Sequence, residues 1–213
     1  MSSRSSKPSV ESGDLFVGAE HADKYQSNNW LARKLVNNFM SQVLAAVRSA
    51  GSHDVYEAGC GEGHILGLLA SNGFRVRGSD VSEEALSIGN LEAARRGLSF
   101  ETVSKSIYDL DPAVDSADTV LCCEVLEHLQ DPEKALHRLV AITRRVLIVS
   151  VPNEPLWRIL NMARGKYLAQ LGNTPGHIQH WSTRRFLRFL APYANVTSVR
   201  HPVPWILVTL RRS

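Results

Sequence analysis

Acidic side chains all but vanish after His137. From Arg138 onward the chain holds 12 Lys+Arg and a single acid, Glu154, whereas the part up to His137 holds 12 Lys+Arg against 20 Asp+Glu. The formal net charge of +3 hides this split. A basic C-terminal part faces either something anionic (phosphate, nucleic acid, a membrane surface) or the acidic part of its own fold, and composition leaves both readings open. Cysteine is scarce too: three residues, two of them adjacent (Cys122 and Cys123), exclude a disulfide framework and point to a reducing compartment. Long apolar runs are missing. Stretches such as Val146 to Val151 and Trp205 to Leu210 are far too short to span a bilayer. Met1 to Ser9 is polar and basic with no apolar stretch behind it, which is not the pattern of a secretory signal, so a cytoplasmic location is expected. What is present, 44% apolar and 21% charged residues in a chain of 213, is the balance of one soluble domain.

The first 13 residues are rich in Ser with Lys, Arg and Pro and read as a disordered arm, so the expected division is arm 1–13 and domain 14–213. Trp30, Leu31, Leu35, Phe39, Val43, Leu44 and Val47 recur at helical spacing, and Gly51 stops the run. Short apolar strands then alternate with helical stretches. Strands are expected at 54–58, 74–78, 100–103, 119–123 and 145–151, with helices at 64–71, after the N-cap Ser82, and at 132–142. That alternation is the signature of βαβ units and a parallel sheet. Residues 196–201 and 205–210 are instead two strands joined by a short Pro-bearing link, an antiparallel hairpin. Between these regions the segment 153–181 carries an amphipathic basic stretch, a Gly/Asn/Pro loop and two histidines. It is read as a lid over the strand ends, with Trp157, Tyr167 and Trp181 offered to an aromatic or prenylated acceptor and Arg158, Arg164 and Lys166 to an anionic group.

Glu57-Ala58-Gly59-Cys60-Gly61-Glu62-Gly63 follows the first strand and opens a helix. Alternate glycines permit a tight turn and let a ligand approach the backbone closely. The G-x-G-x-G spacing differs from the G-x-G-x-x-G of dinucleotide sites, and an acidic turn repels a pyrophosphate. It suits a cationic amino group. Asp80, at the end of the second strand, stands where a carboxylate can accept both hydroxyls of a ribose. A nucleoside carrying a positive charge fits both features.

On residues 55–63 (VYEAGCGEG), 78–82 (GSDVS) and 119–131 (TVLCCEVLEHLQD), the sequence resembles the class I S-adenosylmethionine-dependent methyltransferases. The likeness runs from about Asp54 to Val151, and its EVLEH element is shared with the ubiquinone-biosynthesis O-methyltransferases. It implies a Rossmann-like α/β fold, with a seven-stranded, mostly parallel sheet whose last strand is antiparallel and helices on both faces. It implies that Glu57, Gly59, Gly61 and Gly63 hold the methionine part of S-adenosylmethionine, Asp80 the ribose, and Val81 the adenine. Ser106-Ile107 stands where many members have Asp-Ala beside adenine, which leaves Ser106 to hold the amine. Cys60 and Cys123 are small residues beside the cofactor rather than nucleophiles. Glu124 lies near the methyl donor.

Glu124, Glu127 and His128 are spaced i, i+3, i+4, one face of a helical turn, as in metal-binding H-E-x-x-H helices. With a histidine from the C-terminal part they make a candidate divalent-metal site. By comparison with metal-dependent relatives His177 fills the fourth place better than His180. Two carboxylates and two imidazoles suit Mn²⁺, Zn²⁺ or Fe²⁺ better than Mg²⁺. Without a metal, His128 or His177 is the candidate general base. The expected acceptor is a small-molecule or lipid-like hydroxyl, with an RNA 2′-hydroxyl as the alternative.

Overall fold

The computed structural model describes residues 30–154, 156–157 and 178–212. The expected arm and most of the expected lid, including Tyr167 and His177, lie outside the described residues.

Helix α1 (Trp30–Ala50) forms on the Phe39, Val43, Ala46, Val47 and Ala50 stripe and ends at Gly51, whose φ of 67° is a left-handed stop. Then follow β1 (Asp54–Ala58), α2 (His64–Ala70), β2 (Arg75–Asp80), α3 (Glu83–Arg95) and β3 (Glu101–Ser104). The chain continues through β4 (Ala117–Cys123), α4 (Pro132–Ile142), β5 (Thr143–Pro152), α5 (Thr183–Leu190), β6 (Asn195–Arg200) and β7 (Trp205–Arg211). Local chemistry sets the helix starts. The Ser82 hydroxyl accepts from Ala85 N–H, the Asp131 carboxylate accepts from Lys134 N–H ahead of Pro132, and the Ser182 hydroxyl accepts from Arg185 N–H.

The strands make one seven-stranded sheet in the order β3-β2-β1-β4-β5-β7-β6. All neighbours from β3 to β5 are parallel, and β7 runs antiparallel to both β5 and β6. The expected terminal hairpin is present, with its second strand inserted beside β5. Period-two alternation divides the core between the two faces. Tyr56, Val120, Leu147, Val149 and Val208 pack on one side with α4 and α5. Val55, Leu121, Ile148 and Leu207 pack on the other with α1, α2 and Leu86 of α3. Between β1 and β4 the winding reverses direction, and such a switch point opens a crevice at the carboxyl ends of the strands.

Two aromatics expected to face an acceptor are packing residues instead. The Trp157 ring lies 5.9 Å from that of Trp205, which also meets Phe39 at 4.9 Å. Trp181 lies 5.6 Å from Phe186 and 4.8 Å from Phe189. These partners lie on α1, β7 and α5, and burying rings against one another is worth more than leaving them on a solvated face.

Gly89 lets α3 close on the glycine-rich turn, because a Cβ there would overlap the carbonyl oxygen of Glu62. A Gly89→Ala variant gains helix propensity of about 1 kcal/mol, yet overpacking against backbone costs about 1–3 kcal/mol. Net destabilisation is expected in chemical denaturation, and an equal or higher midpoint would refute this contact.

Candidate active site

The residues after β1 fold back over the end of β2. The Gly59 and Cys60 N–H groups both donate to the Ser79 carbonyl, at 2.7 and 2.9 Å. Gly61 N–H donates to Asp80 Oδ2 at 2.7 Å, and Ser82 N–H to Asp80 Oδ1 at 2.9 Å. Gly59, Gly61 and Gly63 sit at φ 77°, 50° and 70°, the left-handed region that side chains resist. A Cβ on Gly59 would also run into Val125. The turn is therefore tied to β2 on one side and touches the residue after Glu124 on the other.

Glu57 closes β1 with its carboxylate buried, and only 2% of the residue is exposed. Burial, and then the charge of Asp80, push its carboxyl well above the ordinary range, against one backbone N–H from Leu66 that favours ionisation. Among the described residues its Oε2 makes no hydrogen bond. Such a group at a strand end calls for a cationic donor. Val81 is 47% exposed, an open apolar surface beside Asp80. The Ser106 hydroxyl accepts from Tyr108 N–H at 3.3 Å, and Ile107 turns into the core. Burial pushes the Cys60 and Cys123 thiols up, away from the thiolate a nucleophile needs.

Beyond β4 the structure departs from the expected continuous helical turn. Glu124 has a left-handed φ of 60° and stands outside the 3₁₀ turn formed by Leu126–His128. Its Oε1 accepts from the Ser150 hydroxyl at 3.1 Å, and its Oε2 from Trp205 Nε1–H. Glu124 thus clamps β4 to β5 and β7 rather than sharing a helical face with Glu127 and His128. Glu127 is 1% exposed, and its carbonyl accepts from the N–H groups of Ile178 and Gln179, at 2.9 and 3.0 Å. His128 is mostly buried, its side chain 13% exposed, with Nε2 4.0 Å from Glu127 Oε1. Among the described residues no group of three or more His, Cys, Asp and Glu is placed to hold a metal ion. His180 is drawn elsewhere, its Nδ1 3.6 Å from the buried Glu154 carboxylate.

Sequence reasoning passed over Trp205, Gly89 and Gln179. The Trp205 indole reaches a carboxylate 81 residues away, and nothing local marks that pairing. Gly89, a glycine inside a helical pattern, was the one readable signal.

Residues 56–147 match the family model described as "Methyltransferase domain". The ubiquinone biosynthesis O-methyltransferase of Aeromonas salmonicida is 26% identical over 121 residues, 55% of this chain and 51% of that protein. Its counterpart in Alkalilimnicola ehrlichii is 30% identical over 138 residues, 63% of this chain and 55% of that protein. Magnesium protoporphyrin IX methyltransferase from Synechocystis PCC 6803, solved with bound SAH, shares the fold at TM-score 0.70 and 20% identity, covering 92% of this chain and 95% of that one. Residues 56–147 are thus similar to a methyltransferase domain, and the chain shares the Rossmann-like fold of the S-adenosylmethionine-dependent methyltransferases. It spans about half the length of the curated relatives named here. Among the described residues no helix is long and apolar enough to cross a membrane.

The raised Glu57 carboxyl makes ligand binding pH-dependent. Between the ordinary carboxylate range and its raised value the free protein holds Glu57 protonated, and an ammonium group set against it displaces that proton. S-adenosylhomocysteine, which bears such a group, is therefore expected to bind with proton release and more tightly as pH rises through that interval. Calorimetry in buffers of different ionisation enthalpy measures the release. Glu57→Gln is expected to abolish it, and equal release in both proteins would contradict the assignment.

Proposed function

We propose that the protein transfers a methyl group from S-adenosylmethionine to a hydroxyl oxygen of a small-molecule or lipid-like acceptor. The observation that carries this reading is the pair of carboxylates at the switch point: Asp80, held by Gly61 and Ser82, and Glu57, with a buried oxygen that finds no donor among the described residues. The residues fit the cofactor's chemistry. Each Asp80 oxygen accepts one backbone N–H and keeps lone pairs for a ribose hydroxyl. Glu57 meets the amino-acid ammonium, and the left-handed turn at Gly59, Gly61 and Gly63 admits the methionine chain. Val81 covers an adenine face, the Ser106 hydroxyl serves its polar edge, and Cys60 and Cys123 leave room on the inner side.

When bound, S-adenosylmethionine supplies a methyl carbon on a sulfonium sulfur, to which the acceptor oxygen bonds as the carbon–sulfur bond breaks. This chain's residues align the acceptor and remove its proton. His128, in the turn after β4 with its side chain 13% exposed, takes the hydroxyl proton in this proposal. Glu124 is a positioning residue: by clamping the start of that turn to Ser150 and Trp205 it fixes where His128 stands. The relatives' name, O-methyltransferase, supports oxygen as the acceptor atom. Metal assistance through Glu124, Glu127, His128 and His177 is the alternative that the chelation arm below tests, since the Glu124 oxygens, like those of Asp80, keep lone pairs beside their bonds to Ser150 and Trp205.

The test is a screen with labelled methyl donor against fractionated metabolites and RNA, with and without chelator. Label in a small hydroxylated metabolite that persists after chelation is the expected result; label confined to RNA, or lost on chelation, would refute the respective part. His128→Ala is expected to lower kcat by about 10²–10⁴-fold with S-adenosylhomocysteine affinity unchanged. An unchanged kcat would remove His128 from the proton path.

A further inference from the structure

The strand starts, opposite the end that carries Glu57 and Asp80, hold a second concentration of charge. Asp54 opens β1 beside Arg75, its register partner at the start of β2. Its buried carboxylate gathers three guanidinium groups. Arg75 Nη2 stands 3.0 Å from Oδ1, Arg144 Nη1 3.3 Å from Oδ2, and Arg77 Nη2 4.0 Å from Oδ1. The three differ in what else holds them. Arg77 donates to the carbonyls of Val114 and Ser116, at 3.2 and 3.0 Å, and its guanidinium lies over the Tyr56 ring. Arg144 also approaches Asp118, at 3.9 Å, and its side chain is 55% exposed. The Arg75 side chain is 76% exposed, and its approach to Asp54 Oδ1 is an ion pair without hydrogen-bond geometry.

These groups line a cavity of about 370 Å³, with Ser99 and Phe100 on its other wall. Against three guanidiniums the lining offers two carboxylates, Asp54 and, at the start of β3, Glu101. With Asp118 beside Arg144 the local charges balance, but the wall keeps a large surplus of N–H donors, since each guanidinium has five. The shared Asp54 carboxylate draws the three guanidiniums together before an anion arrives, although only Arg144 makes a hydrogen bond to it. Planar, bidentate donors in this arrangement match the oxygens of a phosphate group.

We propose that this cavity binds the phosphate group of a small phosphorylated metabolite, at a site separate from the one that takes the methyl donor. Arg75 and Arg144 make the direct contacts, Arg77 sets the floor, and Asp54 is the positioning residue. Part of the basic character of the C-terminal part thereby acquires a ligand: Arg144 brings charge from that part to the strand starts of the acidic part. The site does not depend on the proposed methyl transfer, so either reading can fail alone.

The experiment titrates the purified protein with inorganic phosphate and with glycerol 3-phosphate, by calorimetry and thermal shift, beside sodium chloride at matched ionic strength. Saturable one-site binding of both phosphates, with a rise in Tm that chloride does not reproduce, is expected. Arg75→Gln and Arg144→Gln are each expected to weaken binding tenfold or more, while Arg188→Gln on α5 leaves it unchanged. Arg75→Lys keeps the charge beside Asp54 and removes the fork; it is expected to keep the fold by circular dichroism and still lose affinity. S-adenosylhomocysteine binding in all four variants is expected to match the parent. No saturable phosphate binding, equal binding in the Arg75 and Arg144 variants, or saturable binding of a single-stranded oligonucleotide alone would overturn the proposal.

Discussion

Everything at the carboxyl end of the sheet hangs on how β2 holds the turn that follows β1. One carbonyl, that of Ser79, takes the N–H groups of Gly59 and Cys60, and one carboxylate, that of Asp80, takes those of Gly61 and Ser82. Three backbone donors of the turn, and that of Ser82 after β2, are thereby satisfied by two adjacent residues. The cost is conformational. Three residues must stand in the left-handed region, and glycine is the residue that does so without a steric penalty. Because the turn is fixed before a ligand arrives, binding need not order it.

The same economy governs the far side of the crevice. Glu124 is buried at a left-handed φ, a conformation costing of order 1–3 kcal/mol for a residue with a side chain, and it persists because two strands hold its carboxylate. Ser150 comes from β5 and Trp205 from β7. The Trp205 ring is wedged in turn between Phe39 of α1 and Trp157. A helix laid down before the first strand therefore braces the loop that carries His128, a chain of contacts from packing to the proposed proton acceptor.

Much of this was legible in the sequence, and the failures have a common cause. The parallel βαβ alternation, the terminal hairpin, the Ser82 cap and the pairing of a glycine-rich turn with Asp80 are all local patterns. Glu124 was grouped with Glu127 and His128 on the strength of i, i+3, i+4 spacing. That rule holds only if the backbone stays helical, and one left-handed residue removes the shared face. Trp157 and Trp181 looked like exposed binding surfaces because their partners, Trp205 for the first and Phe186 and Phe189 for the second, meet them only through the tertiary fold.

In the proposed mode of binding, Asp80 both holds the turn and takes the nucleoside of S-adenosylmethionine. Calorimetric titration of S-adenosylhomocysteine into the parent protein and into Asp80→Ala tests it most directly. Two hydrogen bonds to a charged group, at about 1.5–3 kcal/mol each, together with a loosened turn, predict a loss of at least a hundredfold in affinity, with no requirement for added metal. Equal affinity in the two proteins, or a preference for NAD over S-adenosylhomocysteine, would contradict the account.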